Sequence, residues 1–259
     1  MVSIKAKLGS VLLAGAMGAA SPTLAVPAAL AAPVTTDTVA AAIADPARPA
    51  DDRALDEARH PADILKVLKL KPGETIADIW PGDYWDRLFS NVVGPRGRVY
   101  AVHLPVADKA EKVATPADGA TPVAGHPNVI AVSTAPTDMT LPAKADVIWI
   151  RQNYHDLYDT FMGPVDVPAF NRAVYRALKP GGRFVIIDHI APEGSKLAAT
   201  DTTHRIDPAV VKADMAAAGF VFVGQSDVLR NPADPHTIKV FDPSIRGHTD
   251  QFIYAFKRR

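Results

Sequence analysis

The stretch Ile76-Ala77-Asp78-Ile79-Trp80-Pro81-Gly82-Asp83-Tyr84-Trp85, IADIWPGDYW, decides how the rest of the chain is read. Its first four residues suit a buried strand with an acid near its end, and Trp80-Pro81-Gly82 then turns the chain. Beyond the turn, Trp85, Leu88, Phe89 and Val92 fall at i, i+3, i+4 and i+7, one apolar face of a helix that closes at Gly94-Pro95. A second strand over 98–102 follows at once. Strand, helix and strand within roughly thirty residues make a βαβ unit, whose crossover is right-handed and builds a parallel sheet.

The pattern extends in both directions. Upstream, Pro61 opens a helix with Ile64, Leu65, Val67, Leu68 and Leu70 on its apolar face, and Lys71-Pro72-Gly73 ends it before a strand over 75–79. Downstream the reading gives a helix over 106–113, strands over 129–132 and 146–150, a helix over 168–178 and a strand over 183–187. Leu178-Lys179-Pro180-Gly181 repeats Leu70-Lys71-Pro72-Gly73, because Pro cannot continue a helix and Gly accepts the left-handed turn that follows. Asp207-Pro208 caps a helix ended by Gly219, then come strands over 220–228 and 251–256. The fold class this predicts is α/β, a doubly wound and mostly parallel sheet in a domain spanning 51–259.

Composition bounds the rest. A chain of 259 residues, 48% hydrophobic and 22% charged, suits one globular domain with a substantial core. Lys5 and Lys7 precede an apolar run from Leu8 to Ala20 that is too short to span a bilayer, and Ala29-Leu30-Ala31 has the pattern of a cleavage site. Residues 1–31 therefore read as a signal peptide, which places the protein in the periplasm or the medium. Residues 32–50, rich in Ala, Thr and Pro, read as a linker with a short helix over 38–44. Lys+Arg and Asp+Glu both number 28, so no nucleic-acid or other polyanion partner is implied, and no stable membrane insertion is expected after cleavage. With no cysteine, the chain offers neither disulfides nor thiolate ligands.

Five parallel-type strands with intervening helices and a closing hairpin-like pair resemble the class I S-adenosylmethionine-dependent methyltransferase fold, seven-stranded with an antiparallel last strand. The likeness is carried by Leu178-Lys179-Pro180-Gly181-Gly182-Arg183-Phe184-Val185-Ile186-Ile187-Asp188 and by the helix end Ala217-Ala218-Gly219-Phe220. Within that superfamily the chain looks like a group of exported bacterial predicted methyltransferases, through Trp80-Pro81-Gly82, Asn153-Tyr154-His155-Asp156, His204-Arg205-Ile206-Asp207, Leu229-Arg230-Asn231-Pro232 and the segment from Phe241 to Gly247. The resemblance implies S-adenosylmethionine as cofactor and a small-molecule acceptor. The alternatives are the same fold without methyl transfer, as a ligand-binding protein, or a metal-assisted enzyme.

In an open parallel sheet, ligands bind beyond the carboxyl ends of the strands where strand order reverses. The superfamily's loop after strand one reads acid-x-Gly-x-Gly-x-x-Gly, and on that pattern Asp78 and Gly82 match while Trp80 and Trp85 stand at the other glycines. Asp78, Trp80, Gly82 and Tyr84 are the cofactor-binding candidates, with His103 at the position after strand two where the superfamily places an acid for the ribose. Trp80 and Tyr84 read equally as pocket walls or packing, Trp85 as core, and Asp83 as a helix cap. Asn153, His155 and Asp156 follow strand four at the same rim and are the catalytic candidates, His155 as base oriented by Asp156 or Asp188. His155, His189 and His204, with Asp188 or Asp207, could gather round a zinc-like ion, but their spacing matches no compact metal motif and no metal is assigned. Arg205, Arg230 and Arg246 read as holding either an anionic substrate or the acids Asp207, Asp242 and Asp250.

Overall fold

The computed structural model describes residues 36–259, with side chains from residue 38 onward; the segment read as a signal peptide, and residues 32–35, lie outside the described residues. Four helices lead in: α1 (Thr36–Ala44), α2 (Ala50–Ala54), α3 (Asp56–Arg59) and α4 (Pro61–Leu68). They are followed by β1 (Thr75–Ile79), α5 (Asp83–Val93), β2 (Arg98–His103), α6 (Pro105–Glu111), β3 (Val129–Ser133), β4 (Ala145–Arg151), α7 (Val167–Ala177) and β5 (Leu178–His189). The chain closes with α8 (Thr200–Thr203), α9 (Pro208–Ala217), β6 (Val221–Ser226) and β7 (Gln251–Lys257).

The seven strands form one sheet in the order β3-β2-β1-β4-β5-β7-β6. β1 to β5 pair in parallel, and β7 runs antiparallel to both β5 and β6. The expected seven-stranded, doubly wound sheet with an antiparallel last strand is the architecture observed. The order reverses between β1 and β4, so the carboxyl ends of these two strands flank the topological switch point.

Side chains alternate across the sheet and sort into two cores. Ile76, Val147, Trp149, Val185 and Ile187 face α4 and α5, where they meet Ile64, Leu65, Trp85, Leu88 and Phe89. Ala77, Ile79, Ile148, Ile150, Phe184 and Ile186 face α7 and α9 and meet Phe170, Val174, Val211 and Met215. The helices end and begin as their sequences dictate. Asp166 and Asp207 accept the Ala169 and Ala209 amides at 2.8 and 2.9 Å, with Pro168 and Pro208 in the first turns.

The stretch expected to be a linker is folded from Thr36 onward. Val39 and Ala42 are buried against α4 and α5, Asp45 accepts from the Asn91 amide at 2.7 Å, and Arg48 is buried with a bidentate pair to Asp56. Alanine-rich sequence looked like a tether because its apolar residues are small; two of them are enough to seat one helical face.

Candidate active site

Asp78 comes off β1 on the same side as Ile76, towards α5, and is fully buried. Burial first, and then Asp86, push its pKa well above the carboxylate range, while the Gly82 amide and Trp149 favour its charged form. Asp86, one turn into α5, is pushed up to about 8 by burial and then by Asp83, with Arg87 and a hydrogen bond to Asp78 opposing. Two buried carboxyls so placed share a proton at neutral pH. Asp78 thus ties the start of α5 back to the strand end.

Trp80 has φ +65°, the left-handed region that glycine reaches without cost, and its amide donates to the Val102 carbonyl at 3.0 Å. The loop therefore bends as a glycine would bend it, with an indole attached. That indole is half-buried and meets Phe161 edge-on, ring centroids 6.5 Å apart. Gly82 is exposed and extended at φ −142°, and a Cβ there would meet no atom within 4 Å. Nothing in the protein itself requires glycine at this position. Gly82, not Asp83, is the cap residue of α5; Asp83 lies in the first turn, 3.4 Å from Arg87.

Tyr84 and Trp85 are both internal. The Tyr84 hydroxyl donates to Asp56 at 2.7 Å, and the Arg59 guanidinium lies 4.3 Å above its ring. It clasps α3 to α5 and so packs, one of its two expected roles. Trp85 stacks on Phe89 and meets Trp149, as a core residue. At the end of β2, His103 is half-buried with its Nδ1 3.3 Å from Asp108, which also accepts from the Thr115 hydroxyl. A carboxylate does stand beside this strand end, but α6 supplies it.

Asn153, His155 and Asp156 come together beyond β4. The fully buried Asp188 takes the His155 amide, the His155 Nδ1 and the His189 amide, each at 2.8 Å. Nε2 of His155 lies 3.2 Å from both Asp156 Oδ1 and His204 Nδ1, and Asn153 donates to Asp156 Oδ2 at 2.9 Å. Burial opposes charging of His155, but Asp188 and Asp156 outweigh it and push its pKa up to about 10. The imidazole is thus a cation at neutral pH, a donor rather than the base expected of it. Burial would raise Asp156, yet His155, His204 and Asn153 hold it well below the usual carboxylate range.

Asp159, which the sequence reading passed over, is drawn in by the tight turn His155–Tyr158. It is 1% exposed, and its Oδ2 lies 3.9 Å from His204 Nδ1. Thr200 stands beside it but gives its hydroxyl to the Leu197 carbonyl at 3.2 Å, so among the described residues neither Asp159 oxygen has a donor. The one available signal was an acid three residues after Asp156 in a segment already singled out. His189 does not join: its Nδ1 is 2.7 Å from the Thr249 hydroxyl, and burial pushes its pKa well down. Nor does Asp207, which accepts the Gly194, Lys196 and Ala209 amides.

The turn is anchored from below. Tyr154 and Tyr158 both donate to Asp214 Oδ2 of α9, at 2.9 and 2.5 Å, and Asn171 of α7 donates to the Tyr154 hydroxyl at 2.9 Å.

A cavity of about 360 Å³ opens over the ends of β4 and β5, lined by Arg59, Arg151, Gln152, His189, Phe241 and Arg246 among others. Burial and the neighbouring Arg59 lower the Arg151 pKa to about 10, still charged at neutral pH. The cavity favours an anionic group. A larger one, about 450 Å³, lies between α9 and the β6–β7 pair and contains none of the rim side chains. Arg205 and Arg230 are structural: Arg205 forms a fully buried bidentate pair with Asp234 rather than Asp207, and Arg230 grips Asp250. Asp242 accepts from Ser244, not from an arginine side chain, among the described residues.

No family model matches the sequence, and no curated protein matches it. Solved structures share the fold. A SAM-dependent methyltransferase from Aquifex aeolicus is similar with a TM-score of 0.51 and 21% identity, over 82% of this chain and 99% of that one. Geranyl diphosphate methyltransferase, solved in complex with SAM, is similar with a TM-score of 0.51 and 14% identity, over 85% and 95% of the two chains. The shared architecture is the Rossmann-like class I methyltransferase fold. Among the described residues no helix is long and apolar enough to cross a membrane.

Proposed function

We propose that this chain is an S-adenosylmethionine-dependent methyltransferase acting on a small acceptor. The observation that carries the reading is the left-handed backbone at Trp80 followed by the open, extended Gly82 at the start of an eleven-residue helix, placed at the switch point of a methyltransferase-type sheet. That loop keeps the shape glycines usually give it and leaves main chain accessible to a ligand. Arg59 and Arg151 in the adjoining cavity suit the carboxylate of the donor, and His103 with Asp108 suits its ribose hydroxyls. Once bound, S-adenosylmethionine supplies an electrophilic methyl group; the chain's task is to align the acceptor and keep water away.

The acceptor would enter at the rim formed by Asn153, His155 and Asp156. His155, charged and fixed by Asp188, would orient it by donating a hydrogen bond. Such a rim favours an acceptor that does not depend on His155 to remove its proton. The basic leader and its small-residue cleavage pattern support export, as in the group the sequence resembles.

A second reading, a binding protein that keeps the fold without transfer, draws on the side chains of Trp80 and Tyr84 at the loop, Tyr84 being committed to Asp56. Calorimetric titration of the protein with S-adenosylmethionine separates the two. Saturable binding at micromolar concentration supports the first. No binding by protein shown to be folded sinks it, and binding without turnover on any acceptor of a small-molecule panel favours the second.

A further inference from the structure

We infer that His155, Asp156, Asp159 and His204 form a binding site for a divalent transition-metal ion of the zinc type. The inference does not rest on methyl transfer, but an ion bound here would take the His155 nitrogen that would otherwise donate to an acceptor. Among the described residues these four each offer one ligand atom, and the atoms all lie within 4.8 Å of one another.

A tetrahedral centre with bonds of about 2.0–2.1 Å sets its ligand atoms about 3.3 Å apart. Here His155 Nε2 stands 3.2 Å from Asp156 Oδ1 and 3.2 Å from His204 Nδ1, while His204 Nδ1 is 3.5 Å from Asp156 Oδ1 and 3.9 Å from Asp159 Oδ2. The atoms of His155, Asp156 and His204 already lie close to that spacing, and only Asp159 must move closer. Two imidazole nitrogens with two carboxylate oxygens suit zinc, manganese or iron(II) and suit calcium or magnesium poorly.

Asp159 supplies the independent sign that a ligand belongs here. A hydrogen bond between the two imidazoles would satisfy His155 and His204, but among the described residues both buried oxygens of Asp159 are left without a donor. Burial raises its pKa, and a buried carboxyl in that condition is costly unless it takes a proton or meets a cation. Three carboxyl groups, those of Asp156, Asp159 and Asp188, converge on the two imidazoles.

The supporting shell is also in place. Asp188 holds the Nδ1 side of His155, which turns Nε2 towards the cluster, and Asn153 holds the second oxygen of Asp156. His155, Asp156 and Asp159 are buried, whereas the His204 side chain is 27% exposed and lies against Phe241, so an ion would enter past His204.

The test uses the full chain purified without added metal and stripped with a chelator, then titrated with Zn²⁺ by calorimetry and with Co²⁺ by visible absorption. The expected result is one equivalent bound, with the absorption pattern of four-coordinate cobalt. His204→Ala and Asp159→Asn should lose this binding, and Asp188→Asn, which acts through His155, should weaken it by about 10–100-fold. Should Asp159→Asn fail to fold, His204→Ala, which alters a partly exposed side chain, makes the same comparison. No saturable binding of either ion by folded wild-type protein overturns the inference, as does binding that His204→Ala leaves unchanged in stoichiometry and affinity.

Discussion

Buried carboxyl groups lie on both faces of this sheet at the carboxyl ends of its parallel strands, and the two faces accommodate them differently. On the α5 side, Asp78 and Asp86 sit together and hold a proton, with the Asp86 pKa pushed to about 8 by burial and by Asp83. On the α7 and α9 side, the imidazoles of His155 and His204 hold Asp156 charged, Asp188 pairs with His155, and among the described residues Asp159 has no hydrogen-bond donor. A shared proton takes no space and closes the cluster to anything else. Imidazoles hold their charge exchangeably, because the same nitrogens accept a proton, an acceptor molecule or a metal ion. The first arrangement is a structural joint, whereas the second keeps nitrogens that can exchange one partner for another.

The sharpest way to break that contrast is Asp188→Ala. It strips the charged His155 of its main partner and leaves two buried amides without an acceptor, so a loss of about 3–5 kcal/mol is expected in urea unfolding. A loss under 1 kcal/mol would show that the rim is not held by its charges.

On the other face the expected effect is smaller and of opposite sign. A carboxyl whose folded pKa is raised from 3.8 to about 8 stabilises the fold fully below pH 3.8 and progressively loses that contribution as pH rises towards about 8. The pair's own contribution should therefore fall across this window. Below pH 6.5 the lowered imidazoles of His189 and His126 push stability the other way and the raised Asp159 adds to the fall, so the pair is read from the difference between wild type and variant. Relative to wild type, Asp86→Asn should shift the slope between pH 4.5 and 6.5 in the positive direction and gain on the order of 1–2 kcal/mol at pH 8.5. An unchanged slope would mean that the pair holds no proton.

Two substitutions in the loop sharpen the comparison further. Trp80→Gly relieves a left-handed tryptophan worth about 1 kcal/mol but loses its contact with Phe161, so stability should move by less than about 1.5 kcal/mol. If the indole crowds the loop, S-adenosylmethionine should bind about fivefold tighter, roughly 1 kcal/mol; unchanged or weaker binding by the folded variant would make the indole a wall of the site. Gly82→Ala adds a methyl group into open space, so stability should stay within about 0.5 kcal/mol. Donor affinity should nevertheless fall at least about tenfold, near 1.4 kcal/mol. Equal affinity would remove Gly82 from the contact surface.

The sheet was legible in the sequence because its strands are buried on both faces and read as apolar runs, unbroken over 147–150 and 184–187 and interrupted only by Asp78 over 76–79. The α5 face was legible for the same reason, in the spacing of Trp85, Leu88, Phe89 and Val92. What escaped depends on contacts between distant positions. Asp56 reaches Tyr84 across 28 residues and Asp188 reaches His155 across 33, and no local pattern records either meeting. His155 was found by its place after a strand, but its pKa follows from two carboxylates, one of them in another strand, so its expected role as base was reversed. Asp159 was missed because an acid beside a turn is common; its significance lies in the donors it lacks.

The paired tyrosine hydroxyls on Asp214 have a consequence for motion. Tyr154 and Tyr158 fasten the turn that carries His155 to α9, and Asn171 fastens it to α7, so the turn is held fixed. One wall of the cavity, with Val240, Phe241, Arg246 and Gly247, comes from the connection before β7; Phe241 is 56% exposed and lies against His204. Opening and closing of the site should therefore belong to the 240–248 segment. Amide hydrogens there should exchange many times faster than those of 155–159, and only theirs should slow when a ligand binds.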